Sequence, residues 1–184
     1  MNYKEIRAVY SENTIRVYQA FSKEIAEEAV KKGTFGKNFN LSRMTWIKPS
    51  FLWMMYRCGW GTKEKQEYIL AIDIKRSAFD YVVKEAVPST YNESLGISKE
   101  TWKELVKKSD IRCQWDPERD VNGSPLQYRS LQLGIRGDAV HEYVNCWIEN
   151  ITDITQYVKD LKEKKDSGIN IENLLPEEKV YLVE

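Results

Sequence analysis

Between Arg43 and Trp60 the chain reads Arg-Met-Thr-Trp-Ile-Lys-Pro-Ser-Phe-Leu-Trp-Met-Met-Tyr-Arg-Cys-Gly-Trp, which sets Trp46, Trp53 and Trp60 among Arg43, Lys48 and Arg57. Aromatic faces beside guanidinium and ammonium groups are the equipment for holding a planar base or a phosphorylated sugar that carries one. The same residue types also suit a buried helix whose cations extend their charged tips to water. Lys48 and Ser50 flank Pro49, and proline is favoured as the first residue of a helix. A helix starting at Pro49 would offer free backbone N–H groups and a positive dipole end beside Lys48, which is a phosphate site.

Three further groupings carry chemistry. Arg7, Tyr10, Arg16, Tyr18 and Gln19 lie near the N-terminus, and in a strand Arg16 and Tyr18 share one face while Val17 and Gln19 share the other. The Arg16 face then meets either solvent or a bound anion. Gln114-Trp115-Asp116-Pro117-Glu118-Arg119-Asp120 gathers carboxylates beside a tryptophan and an arginine. Glu118 or Asp116 there could serve as a general base or bond a ribose hydroxyl, although Asp-Pro-Glu-Arg is equally an ordinary turn. In Tyr128-Arg129-Ser130-Leu131-Gln132, Arg129 could reach a phosphate from a strand, or could belong to a solvated alternation.

Other chemistries are excluded. His141 is the single histidine, so a His-rich metal site and a His-paired nucleophile are not expected, and no metal is assigned. Cys58, Cys113 and Cys146 are far apart and contain no CxxC pair, which supports neither a disulfide framework nor zinc. No GxGxxG, GxxxxGK[ST] or GxSxG pattern occurs. Lys plus Arg equals Asp plus Glu at 28 each, so polyanion binding would need a local patch rather than a global field. The chain shows neither a leader pattern nor an apolar run near 18 residues, and a cytoplasmic protein without membrane contact is expected.

The elements that must position these groups follow from periodicity and caps. Thr14–Phe21 predicts a strand, and Ser22 opens a helix over 23–32 that Gly33 stops. Residues 43–48 are extended and lead to a largely apolar helix from Pro49 to Gly59. Tyr68–Ile74 is a strand, followed by a helix capped by Ser77 to about Val87 and a loop over 88–96. Ser98 opens an amphipathic helix through Val106. Strands follow at 111–115 and 127–134 with a turn over 116–123 between them, then helices at 138–147 and 153–165 and an irregular arm around Leu174-Leu175-Pro176. With 184 residues and no linker or repeat, this predicts one α+β domain with a mixed or antiparallel sheet and flanking helices. The core covers about 5–158, and the last helix and arm cover 159–184.

The chain resembles a family known as domain of unknown function 4291. The resemblance rests on Ile6-Arg7-Ala8-Val9-Tyr10, on Val17-Tyr18-Gln19-Ala20 and on the run from Arg43 to Arg57. It continues through Gln114 to Arg119, Tyr128 to Gly134, Trp147-Ile148, Asp153-Ile154-Thr155 and Leu174-Leu175-Pro176, and so covers nearly the whole chain. The family implies no reaction. More remotely, the order of the first strand, helix, second strand and helix is similar to ADP-ribosyltransferase-like domains, which grip NAD between two sheets. That likeness implies Arg16 as the first-strand cation, Thr45 or Ser50 as the hydroxyl, Tyr56 or Trp53 as the stacking platform and Glu118 as the catalytic carboxylate. It departs at Gln132, where such a transferase often carries glutamate.

The expected site therefore comprises Thr45, Trp46, Lys48, Ser50, Trp53, Tyr56, Arg57 and Arg129 for a small nucleotide ligand, with Arg16 and Glu118 acting on NAD as substrate and a nucleic acid or protein as acceptor. A non-catalytic nucleotide or single-strand binder uses the same tryptophans for stacking and the same cations for phosphates. A protein-interaction module would bury the aromatics as core.

Overall fold

The computed structural model describes residues 3–184. β8 (Pro125–Ile135) is the longest strand and organises the larger sheet. Along one side it pairs antiparallel with β7 (Ile111–Arg119), which carries the short parallel β6 (Val87–Pro88). Two strands share its other side: β1 (Tyr3–Lys4) runs parallel at Tyr128 and Arg129, and β4 (Thr45–Ile47) runs antiparallel from Leu133 to Ile135. A second, antiparallel sheet has the order β3 (Thr14–Phe21), β5 (Tyr68–Lys75), β9 (Ile148–Asp153). A two-stranded ribbon joins β2 (Arg7–Ala8) to β10 (Lys179–Val180).

Six α-helices flank these sheets among the described residues: α1 (Lys23–Lys32), α2 (Phe51–Cys58), α3 (Arg76–Glu85), α4 (Lys99–Lys108), α5 (Gly137–Glu142) and α6 (Thr155–Asp166). The α+β class and the positions of β3, α1 and α4 agree with the sequence reading. On β3 the alternation sorts side chains between two cores. Ile15 and Val17 join a cluster with Ile72, Leu131, Leu133 and Tyr143, while Tyr18 joins Phe51, Met55, Val158 and Leu161. The distal segment contributes to both, since Ile171 and Tyr181 are buried.

Several boundaries differ from expectation, each for a physical reason. Pro49 does not start α2. Ser50 is the N-cap, its hydroxyl accepting the Trp53 N–H at 3.1 Å, so a side-chain cap sets the boundary two residues later. Ser77 does not cap α3, which begins at Arg76 directly out of β5. The expected turn over 116–119 is strand, and the turn falls at Asp120–Ser124, where the Asp120 carboxylate accepts the Asn122 and Ser124 N–H groups. Pro117 is tolerated because β6 ends opposite Cys113 and leaves β7 an outer edge beyond it. The helix expected over 138–147 becomes a π-turn from Tyr143 to Trp147, and Ile148–Asp153, which spans the gap between the two expected helices and the first residue of the second, is β9.

The larger sheet brings β4 close to β8 at a glycine. A Cβ on Gly134 would lie 2.6 Å from Met44 Sδ and 3.0 Å from the Trp46 ring. Gly134→Ala is therefore expected to cost about 1–3 kcal/mol in chemical denaturation, because the Met44 side chain and the Trp46 ring must shift for the methyl group to fit.

Candidate functional site

β3 ends against β4, and the backbone continues the contact: Tyr18 and Lys48 form an isolated antiparallel bridge, with the Tyr18 N–H donating to the Lys48 carbonyl at 2.8 Å. This fixes the start of α2 beside the end of β3. A cleft of about 690 Å³ opens between the two, walled by Gln19 to Ser22, by residues 38–40 and 43–46, by Lys48, by Met54 and Arg57 of α2, and by Glu64 to Gln66. Gln114 of β7 and Gln132 of β8 close one side. The volume suits a small organic ligand, for which clefts run from about 300 to 1,000 Å³.

Lys65 is one of four cations that line the cleft; the other three are Arg43, Lys48 and Arg57. Arg43 and Arg57 are exposed, while Lys48 is 5% exposed. Among the described residues none of the three side chains makes a salt bridge or donates a hydrogen bond within the protein. Burial first, and then the nearby Arg57, lowers the Lys48 ammonium to about 8 against the opposing pull of Cys58 and Asp116. An interior cation without an acid partner is costly to the fold, so a ligand anion is the group that fits beside it.

The polar wall opposite is held rigidly. Asp116 accepts Gln114 Nε2 at 2.9 Å and Gln132 Nε2 at 2.7 Å, and Ser89 Oγ donates to Gln114 Oε1 at 3.2 Å. Gln19 is 3% exposed and fully engaged: its amide nitrogen donates to Thr45 Oγ1 at 2.7 Å and to the Trp46 carbonyl, and its oxygen accepts the Tyr143 hydroxyl at 2.8 Å. Thr45 and Trp46 are thus oriented from β3. Fixed amides and unpaired cations can bind and orient an anionic ligand. Glu64 is the only carboxylate along the cleft wall.

The structure divides the residues chosen from sequence. Thr45, Trp46, Lys48 and Arg57 line the cleft together. Trp53 and Tyr56 occupy another face of α2, where they stack at 5.5 Å, and the Arg119 guanidinium lies 4.2 Å from the Tyr56 centroid. Their ring faces serve each other and Arg119. Arg16 lies away from the cleft in a two-pronged pair with Asp73, Nε to Oδ1 at 2.8 Å and Nη2 to Oδ2 at 3.0 Å. Arg129 donates to the Trp115 carbonyl at 2.7 Å and lines a second depression of about 240 Å³ with Lys4, Ser89 and Trp115. Gln114 borders both hollows.

Glu118 and Ser50 form a separate buried group. Glu118 is 3% exposed, and one carboxylate oxygen accepts the Arg119 N–H at 2.8 Å. Burial raises its carboxyl, while bonds to Ser50, Arg119 and Ser130 and the nearby Arg7 oppose the shift. Glu178, just before β10, reaches the same place: its Oε1 accepts the Phe51 N–H at 2.6 Å. The proposed phosphate seat at the head of α2 is therefore filled by the protein's own carboxyl. The Glu178 stem is partly exposed but its carboxyl is enclosed, and burial together with Glu118 pushes it up to about 8 against the pull of the Phe51 N–H and Arg7.

Gln19 and Gln114, among others, stand in groupings singled out from the sequence but lie outside the residues assigned to the site. Only their strand parity could have indicated them, since each shares a face with a residue that does line the cleft. A comparison with curated proteins found no match. The family model for a domain of unknown function (DUF4291) matches residues 5–181, nearly the whole chain. The chain belongs to the DUF4291 family.

Proposed function

We propose that the cleft binds a nucleotide-type ligand, a planar ring carried on a phosphorylated ribose. The observation that carries this reading is the convergence of Arg43, Lys48 and Arg57 on one cleft with no acid partner among the described residues. Trp46 in the same wall supplies an aromatic surface, and Gln132, whose nitrogen is tied to Asp116, keeps a carbonyl oxygen free to accept from a hydroxyl or an amide. The balanced net charge favours a small ligand over a long nucleic acid.

ADP-ribosyl transfer from NAD is the second reading, supported by Gln19 of the first long strand, Thr45 of β4 and Gln132 of β8 meeting in this cleft. In that reading Gln132 stands where a carboxylate would stabilise the oxocarbenium-like transition state, and Glu118 does not line the cleft. Both departures favour the first reading, under which NAD would be bound with little release of nicotinamide.

The test is a thermal-shift series with NAD, ADP-ribose, ATP and a short single-stranded RNA, run beside a nicotinamide-release assay. At least one nucleotide should raise the melting temperature. Arg43→Met and Arg57→Met should each weaken that ligand roughly tenfold, the loss of a charge-assisted bond of about 1.5 kcal/mol, with the unliganded melting temperature nearly unchanged. Nicotinamide release at an enzymatic rate would move the assignment to the transferase. Stabilisation by RNA alone, fading steeply with salt, would move it to a single-strand binder. No response to any ligand would leave the aromatic segment as core.

A further inference from the structure

We propose that Lys48 acts as a nucleophile, its amine forming an imine with the carbonyl carbon of a phosphorylated aldehyde or ketone whose phosphate is held by Arg43 and Arg57. The inference rests on the reading of the cleft as a phosphate-ligand site and adds a substrate class to it.

The position is unlike that of any other lysine in the protein. Lys48 is the one lysine among the buried residues of the described chain, yet its side chain lines an open cleft. Its backbone is pinned to β3 by the bond to Tyr18, so the side chain has a fixed origin. Two conditions turn a lysine into a nucleophile, removal from water and a neighbouring cation, because each favours the uncharged amine. Both are met, by the enclosed wall and by Arg57. Asp116 is the carboxylate nearby, and it is already engaged by the amides of Gln114 and Gln132 rather than by the lysine. Arg57 and Asp116 therefore leave the amine free to react, and Arg43 and Arg57 at the mouth supply a separate seat for phosphate.

The chemistry balances without an oxidant. The Nζ lone pair attacks the carbonyl carbon, a C–N bond forms, and the π electrons move to oxygen, which takes a proton from solvent. One N–H proton passes to solvent, giving the carbinolamine. Its oxygen takes a second proton and leaves as water while the nitrogen lone pair forms the C=N bond, and the second N–H proton then passes to solvent. Hydrolysis reverses both steps and returns the amine.

The experiment uses pyridoxal 5′-phosphate, a phosphorylated aldehyde, on the full chain, with borohydride reduction and peptide mapping. Lys48 should be labelled at least tenfold faster than the exposed Lys99 or Lys103, which lie outside both hollows, and ADP-ribose should protect it. Labelling should increase as pH rises through about 8. Lys48→Arg, which keeps the charge but cannot form the imine, should remove the fast label and leave the slow surface labels. With acetic anhydride, which carries no phosphate, the midpoint for Lys48 should move to higher pH in Arg57→Met. Labels spread over surface lysines with Lys48 untouched would overturn the proposal. If a nucleotide stabilises the protein while Lys48 stays unlabelled, the imine falls and the nucleotide reading stands. Fast labelling of Lys48 in a protein that no nucleotide stabilises supports the amine and overturns the nucleotide reading.

Discussion

Lys48→Met is expected to melt roughly 5–10 °C above the wild-type protein while losing its response to anionic ligands. The lowering of the ammonium from 10.5 to about 8 corresponds to about 3 kcal/mol spent on holding a charge in the interior. Methionine matches the length of the lysine stem and carries no charge, so the cost disappears while the stem's place in the cleft wall is kept. The pH dependence identifies the cause. Below about pH 8 both folded and unfolded chains carry the charge, and the full cost is present. Between about 8 and 10.5 the unfolded chain binds more protons than the folded one, so the wild type gains stability as pH rises. The advantage of Lys48→Met should therefore be greatest at neutral pH and shrink towards pH 10.5, as read by urea denaturation across that range. A destabilised Lys48→Met at neutral pH would show that the ammonium serves the fold instead, through a partner within the protein.

The second large effect concerns Glu178, and its sign is opposite. Its carboxyl keeps its proton up to about pH 8 in the folded state but loses it near 4.5 when unfolded. The folded chain therefore holds more protons between those values, and this group's contribution to stability falls as pH rises across that window. Glu178→Gln keeps an oxygen to accept the Phe51 N–H and removes the ionisation. It should be about 2 kcal/mol more stable than the wild type at pH 8.5 and nearly equal to it at pH 4.5. Glu178→Leu, which also discards the acceptor at the head of α2, should forfeit about 1 kcal/mol of that gain. Parallel stability curves for wild type and Glu178→Gln from pH 4.5 to 8.5 would mean that the carboxyl ionises normally in the fold.

Much of the fold was legible because its signals are local. β3 has a run of β-branched and aromatic residues, α1 has an apolar stripe closed by Gly33, and Ser98 bonds the Thr101 N–H as its cap. The losses occurred where tertiary pairing decides. β9 carries exposed Glu149 and Asn150 on an edge, and its strand character comes from pairing with β5. The two-residue strands β1, β2 and β10 have no pattern of their own.

The site was half legible for a similar reason. Of the residues read from the central segment, Thr45, Trp46, Lys48 and Arg57 line one cleft. Which face of α2 or β3 looks into it depends on how each packs, and sequence parity alone leaves both choices open. Gln19 therefore lines the cleft where Arg16 was expected, and Met54 and Arg57 do so where Trp53 and Tyr56 were expected as the platform. Glu118 lies deeper than any spacing rule could show, near enough to the distal arm's Glu178 carboxyl to help raise it.

The bond from Glu178 to the Phe51 N–H joins positions 127 residues apart, and that from Arg7 to the Glu178 carbonyl joins positions 171 apart. Closing such long loops is entropically slow, and contacts of this separation form late in folding. The helix that carries Arg57 and sits beside Lys48 thus receives its terminal acceptor from almost the last part of the chain to dock. Capture of the proposed ligand would in that sense be a certificate of completed folding: a half-made chain, with most of its strands already paired, would still lack a finished place to bind.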